Sequence, residues 1–483
     1  MTLLAGLVLV AAACVPPQAS RSPTSQVAAA TRPNIIFFLT DDESSNQMLA
    51  LPSVRSLIQA QGVTLANAIV PIPLCCPARA SLMTGQYDHN NGVLSNHPPT
   101  GGYQGLDQTN TLAKWLHDSG YRTAQVGKYM NGYGAAQVRP LGWDEWWAAS
   151  KHPFLVYDYT LNHNGTEVHY GFASSDYKTD VFTNLASSFV ASALPDSGPF
   201  YLQLWYTSPH VEQGTDSTGH KFNNTAPRPA PRHVGMYSTA PFPPGDPSFN
   251  EADVSDKPAF VRALPPIGPA RVASMATKYR TQLASLASVD EGIHKIVDMV
   301  TAAGELGNTV FVFASDNGDM HGEHRITFGK EMSYEPSIRV PMFVSGPGFP
   351  AGTTVTSPVM FPDYAPTVVQ LAGATPGLLM DGTSLQRTIA APPTDRAILI
   401  DSGNDTAPNA KFEGVRTRRW MYASYPATKE AELYDLSQDP FELLSQAKNP
   451  AYAAQLVAAR NLVTALRACK GAGCNVAVPA VLR

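Results

Sequence analysis

Four stretches of the chain are apolar at nearly every position for the length of a strand and then turn polar at once. "NIIFFLT" (34–40) stops at Asp41 and Asp42, "YRTAQV" (121–126) at Gly127 and Lys128, "FYLQLWYTS" (200–208) at Pro209 and His210, and "TVFVFAS" (309–315) at Asp316 and Asn317. Runs without alternation are buried on both faces, as in the parallel part of an α/β sheet. Between them the period changes. In "YRTQLASLASVDEGIHKIVDMVTAAGELGN" the positions Tyr279, Leu283, Leu286, Ile293, Val297 and Val300 recur at steps of three, four or seven, forming one helical stripe that Gly304 and Gly307 can end. Alternating strands and helices predict an α/β main domain over 33–385. After "DGTSL" (381–385) the segments shorten: "AILI", "FEGVRT", "RWMYASYP" and "AELYDL" read as short strands between turns, followed by a helix from about Ala451 to Ala468. The tail, 386–483, is expected to form a small antiparallel-sheet subdomain.

A chain of 483 residues is too long for one simple core. With 15% charged residues and a net charge of −5 it offers no basic face, which argues against nucleic acid as a partner. The opening "MTLLAGLVLVAAACVPPQAS" holds an uncharged apolar run too short to span a bilayer, so residues 1–32 read as a signal peptide plus a flexible tether. Cys14 follows "AAA" as a lipid-anchored cysteine would, although the leucine and the basic n-region of that signal are missing. The protein is therefore expected to be secreted or held at the cell envelope. Export suits Cys469 and Cys474 in "CKGAGC", whose short loop an oxidising compartment can close. Cys75 and Cys76, in "PLCCPARASLMTGQYDHNNGV", are left without partners. Adjacent cysteines rarely bond to each other, because the rigid peptide between them gives poor S–S geometry. One of the two is expected to have a chemical task.

Ligands of open α/β sheets bind beyond the carboxyl ends of the strands. Asp-Asn after a strand is ordinarily turn chemistry, and a single His or Lys is ordinarily surface or core; four polar strand ends together point to a site. Asp41, Asp42, Asp316 and Asn317 supply hard oxygen donors, which suit Ca²⁺ or Mg²⁺ and suit zinc or copper poorly. Three carboxylates brought together repel one another unless a cation lies between them.

Cys75, Pro77, Ala78, Arg79, Thr84 and Gly85 fit C-x-P-[SA]-R-x4-T-G, with "TDD" upstream and "SDNGD", "KEMSYEPSIRVP" and "ELYDLSQDPFEL" downstream. From about Pro33 to about Pro450 the chain resembles the type I sulfatases of the alkaline phosphatase superfamily. The resemblance implies a mixed, mostly parallel sheet between helices, with a small C-terminal antiparallel sheet and helix. It implies hydrolysis of a sulfate monoester. It assigns the chemical task to Cys75, oxidised to formylglycine before folding by a maturation enzyme, and leaves Cys76 the variable position. It also implies Ca²⁺, with Mg²⁺ as the alternative, held by Asp41, Asp42, Asp316, Asn317 and residue 75. Arg79 matches the arginine that orients the hydrated aldehyde, Lys128 the lysine that contacts it and the sulfate, and His210 with Lys330 the pair that assists departure of the ester oxygen.

One position departs from the pattern. Many sulfatases read G-K-W-H where this chain has "GKYM", and Met130 cannot accept a proton. His89 is a candidate replacement; His321 and His324 are expected as solvated loop side chains. "CCPAR", "GKYMNGYG" and "PLGWDEWWA" resemble the N-acetylglucosamine-6-sulfatases and heparan endosulfatases, which implies a sulfated sugar as substrate. Trp143, Trp146 and Trp147 read as core before they read as a sugar platform. The Pro- and Gly-rich segment 214–269 is expected over the mouth of the site. The rival readings are a phosphonate monoester or phosphodiester hydrolase of the same fold and a catalytically silent sugar-binding relative.

Overall fold

Asn34–Thr40 forms β1 with all of its residues buried, because it runs through the middle of a ten-stranded sheet. The computed structural model describes residues 32–134, 138–243, 245–391 and 395–483, together with Thr2 and Gly6. The expected leader, Cys14 included, lies outside the described residues except for Thr2, Gly6 and Arg32. The other strands of the sheet are β2 (Gly62–Leu65), β3 (Arg122–Gly127), β4 (Glu145–Lys151), β5 (Tyr159–His163), β6 (Thr166–Tyr170), β7 (Phe200–Trp205), β8 (Thr309–Ser315), β9 (Met342–Ser345) and β10 (Thr353–Val355). Their order is β10-β2-β9-β8-β1-β7-β3-β4-β5-β6. The centre, from β8 through β1, β7 and β3 to β4, is parallel; β9 and β5 join its two sides antiparallel.

Alternation along β1 divides the core in two. Ile35, Phe37 and Leu39 pack on one face with α1 (Cys75–Thr84), while Ile36 and Phe38 pack on the other with α2 (Lys178–Ala193) and α3 (Pro269–Ala302). The helix predicted from Tyr279 starts ten residues earlier, at Pro269, whose fixed φ suits the first turn. Most of those extra residues face solvent and carry no stripe to read. Ala303 and Gly304, the latter at φ 79°, end it.

The tail forms a four-stranded antiparallel meander: β11 (Ile398–Asp401), β12 (Glu413–Arg416), β13 (Trp420–Tyr425) and β14 (Glu430–Asp435). Helix α4 (Ala453–Arg467) lays Ala458, Ala459, Leu462, Val463 and Leu466 against it. Cys469 and Cys474 are joined by a disulfide, and Cys75 and Cys76 are free and buried. Ile69, Tyr87, Met320 and Tyr334 share the tail's apolar cluster, and Arg32–Arg483 is one compact unit.

Candidate active site

The four polar strand ends lie side by side. β8, β1, β7 and β3 are consecutive and parallel, so Asp316, Asp41, the turn leading to His210, and Lys128 all leave the sheet at the same edge. Lys128 depends on the residue before it. Gly127 sits at φ 114°, where a Cβ would lie 2.0 Å from the carbonyl oxygen of Trp205, the same oxygen that accepts the Lys128 N–H at 2.9 Å.

Helix α1 brings in the cysteines. Cys75 is its first residue, after an extended Leu74, and Arg79 follows four positions later on the same face. Cys75 Sγ lies 3.6 Å from Asp41 Oδ1 and accepts from Lys330 Nζ at 2.9 Å. Cys76 points elsewhere: its N–H donates to Asn96 Oδ1 and its Sγ accepts from the Asn131 N–H at 3.1 Å. Burial, followed by the charge of Asp41, pushes the Cys75 thiol up to about 12, so it is protonated and a weak nucleophile at neutral pH.

Arg79 is fully buried and uses its whole fork. Nε donates to Asp316 Oδ2 (3.0 Å), Nη2 to Asp41 Oδ2 (3.2 Å) and Nη1 to the carbonyl of Lys128 (2.7 Å), with Trp205 beneath the guanidinium at 5.1 Å. Lys128 Nζ pairs with Asp41, and Lys330 Nζ pairs with Asp42. His210 Nδ1 donates to the Val211 carbonyl at 2.6 Å, which leaves Nε2 turned toward Asp42 Oδ2 at 3.6 Å.

Burial alone would raise Asp41; Lys128, His210, Arg79 and Lys330 outweigh it and hold the carboxyl well below its usual range. Asp42 is lowered in the same way, with Lys330 and then His210 overcoming burial. Asp316 goes the other way, raised by burial and by the charge of Asp41. Burial pushes the His210 imidazole below its usual range, whereas the Asp42 and Asp41 carboxylates help overcome the burial of Lys330 and raise its ammonium.

These donors fit a hard cation. Asp41, Asp42, Cys75 and His210 offer ligand atoms within 4.8 Å of one another. Asp316 and Asn317 join them through Asp42, whose N–H donates to Asp316 Oδ1 at 3.2 Å and whose Oδ1 accepts from Asn317 Nδ2 at 2.7 Å. Asn317 Oδ1 is buried with no hydrogen-bond partner. An orphaned carbonyl oxygen beside three carboxylates suits Ca²⁺ or Mg²⁺. Asp42 itself takes φ 66°, a left-handed conformation uncommon outside glycine.

The structure thus brings together Asp41, Asp42, Cys75, Arg79, Lys128, His210, Asp316, Asn317 and Lys330. It does not bring His89, whose Nε2 donates to the Cys469 carbonyl (3.1 Å) and whose ring stacks on Tyr87. His321 and His324 are buried, against expectation. His321 meets Ser44 Oγ and Gln282, and burial pushes it down to about 3; His324 is bound to Glu251 at 2.7 Å. Trp143 and Trp146 are core, and Trp147, half-buried, stacks on His163. Segment 214–269 is tied by Asn250 and Glu251 to the 322–325 loop that follows Asn317. Two neighbours of the site escaped the sequence reading. Glu43 directly follows the aspartate pair, and burial pushes its carboxyl up to about 8. Phe154 stacks on His210 from a turn that carries no motif.

Comparison with known proteins gives a consistent picture. The model of the sulfatase family matches residues 33–374, and that of the N-sulphoglucosamine sulphohydrolase C-terminal region matches residues 322–468. The arylsulfatase of Volvox carteri is 32% identical over 514 residues, covering 93% of this chain and 76% of its own. Human N-acetylglucosamine-6-sulfatase is 33% identical over 374 residues, covering 74% of this chain and 65% of its own. A solved structure of a protein in complex with its substrate D-glucosamine-2-N,6-O-disulfate shares the fold at a TM-score of 0.74, with 24% identity, covering 90% of this chain and 97% of that one.

Proposed function

The chain belongs to the sulfatase family, near its N-acetylglucosamine-6-sulfatase branch, and is a sulfuric ester hydrolase; on that premise we propose that it removes sulfate from a sulfated sugar of the glucosamine-6-sulfate type, using formylglycine made from Cys75 and a bound Ca²⁺. The observation that carries this reading is the meeting of Cys75, at the start of α1, with carboxylates from two distant strand ends and with Arg79, Lys128, His210 and Lys330. The buried thiol itself is a poor nucleophile, which supports its conversion to an oxygen nucleophile.

Asp41, Asp42, Asp316, Asn317 and residue 75 would hold the cation, which supplies charge neutralisation for the non-bridging sulfate oxygens. A hydrated aldehyde at position 75 would supply the oxygen nucleophile for sulfur and a second hydroxyl for the release of sulfate. Arg79, locked between Asp41 and Asp316, would orient residue 75, and Lys128, paired with Asp41, would contact the transferred sulfate. Lys330 keeps its proton through its carboxylate neighbours, so it can protonate the departing alkoxide beside His210. The group that takes the diol proton is not Met130, and His89 is engaged at Cys469.

The leader read over 1–32 and the 469–474 disulfide support export, with Cys14 as the anchor if the chain is lipidated. The test is expression with a formylglycine-generating enzyme, mass spectrometry of the peptide ending at Arg79, and parallel rates on nitrophenyl sulfate, nitrophenyl phosphate, phenylphosphonate and glucosamine-6-sulfate. An aldehyde at position 75, preference for the sulfates and a loss of about 10³-fold or more in Cys75→Ala are expected. Chelation should abolish turnover, and Ca²⁺ should restore it. Preference for phenylphosphonate would replace this reading with the rival hydrolase.

A further inference from the structure

Phe154 stands between two of the groups assigned to catalysis. Its ring centroid is 4.6 Å from that of the His210 imidazole, with the planes inclined by 22°, and Lys128 Nζ lies 4.8 Å from the same ring. One aromatic ring therefore packs on the imidazole and offers a cation–π contact to the ammonium. It is half-buried and belongs to the turn between β4 and β5, remote in sequence from the other site residues.

The turn is held by an unusual group. Lys178, in the first turn of α2, is 1% exposed. Its ammonium donates to the carbonyls of His152 (3.4 Å) and Pro153 (3.0 Å) and lies over the Tyr159 ring at 4.5 Å. It forms no ion pair among the described residues. Burying an ammonium against neutral acceptors is costly. Burial pushes Lys178 down to about 7; the charge of Glu212 opposes that shift, and those of Lys128 and Arg228 add to it. Its hydrogen bonds nevertheless go to the two residues that precede Phe154.

The far side of the turn is fixed as well. His152 takes φ 47° and its carbonyl accepts from the Leu155 N–H. The Val156 N–H donates to Glu212 Oε1 at 3.0 Å, and the Val156 carbonyl accepts from the Lys178 N–H. Glu212 lies two residues after His210 and is clamped by Arg228. The ring and the imidazole it touches are thus anchored to one frame.

We propose that Lys178 holds the 152–154 turn so that Phe154 acts as a positioning residue, setting the plane of His210 and confining Lys128. The inference rests on the catalytic reading of His210 and Lys128, and it adds two residues to that reading. In Phe154→Leu, kcat on nitrophenyl sulfate should fall about tenfold or more with KM little changed, and Phe154→Tyr should restore most of it. In Lys178→Met, kcat should fall similarly while the thermal midpoint holds or rises, because the costly buried charge has gone. The double variant Phe154→Leu/Lys178→Met should be no worse than the more impaired single variant. Unchanged kcat in both single variants, or a fall that tracks a lower midpoint, overturns the proposal.

A second readout needs no turnover. The ring current of Phe154 shifts the His210 carbon-bound proton resonances, and in Lys178→Met that shift should shrink. A wild-type protein that carries formylglycine yet hydrolyses no sulfate ester would defeat the reading of the site; unmoved His210 resonances in Lys178→Met would defeat the inference alone.

Discussion

One step along a helix, about 100° of rotation, gives two adjacent thiols entirely different neighbours. Cys75 faces Asp41 and Lys330, while Cys76 faces Asn96 and Asn131. That the pair was special was legible in the sequence, since every other thiol had an explanation. The expectation that Cys75 is the one with the task came from the C-x-P-x-R pattern, because nothing in two adjacent letters says where a helix begins. His321 and His324 were misread for a related reason: a polar loop looks solvated until the residues that close over it, Tyr279, Gln282 and Glu251, are known. Glu323 between them gives a test. Burial pushes its carboxyl up to about 7 from 4.5. A carboxyl that holds its proton more tightly when folded stabilises fully below about 4.5, and that contribution is lost as pH rises through about 7. Glutamine has no such term. The thermal midpoint of Glu323→Gln relative to wild type should therefore climb between pH 5 and pH 8; a difference flat in pH would rule this out.

Secondary elements were the most legible level. Strands covered on both sides show themselves as unbroken apolar runs, and β1, β3, β7 and β8 all fall where the runs are. Their adjacency was not readable, because it is fixed by pairing between segments up to hundreds of residues apart. Nor was the placement of Lys330, which comes from a loop and was found through resemblance alone. Phe154 left no trace at all, being one aromatic in an irregular turn. The junction of β3 with the site carries the sharpest demand on a single residue. In Gly127→Ala the new methyl meets the Trp205 carbonyl, and the left-handed φ is strained as well. We expect a loss of about 3 kcal/mol in stability and, at temperatures where the variant stays folded, a greater loss of kcat than KM changes, because Lys128 is displaced. Denaturant unfolding paired with steady-state kinetics checks both.

Across the whole molecule the tail sheet is welded to the part that bears the site. Arg416, on β12, donates from Nε to Glu335 Oε1 at 2.6 Å and from Nη2 to Glu335 Oε2 at 3.2 Å, and both side chains are buried. Glu432 accepts from Tyr334, Tyr425 and Tyr434, one of them from outside the tail. Arg416→Met strands Glu335 with Arg339 as its remaining cation. We expect a cost near the lower end of ~3–5 kcal/mol, and a single cooperative transition in which far-UV signal and site fluorescence are lost together. Two separated transitions would show that the expected boundary at 385/386 divides independently melting units.

Residue 75 is 1% exposed, at the head of a helix whose ten residues are all buried and which meets Asp316 and Lys330, groups that arrive after residue 300. Any enzyme that edits this side chain must therefore reach it before the polypeptide closes. Were residue 75 converted as proposed, competence would become a race between a visitor and the chain's own collapse, and rapid closure would strand molecules in an inert form.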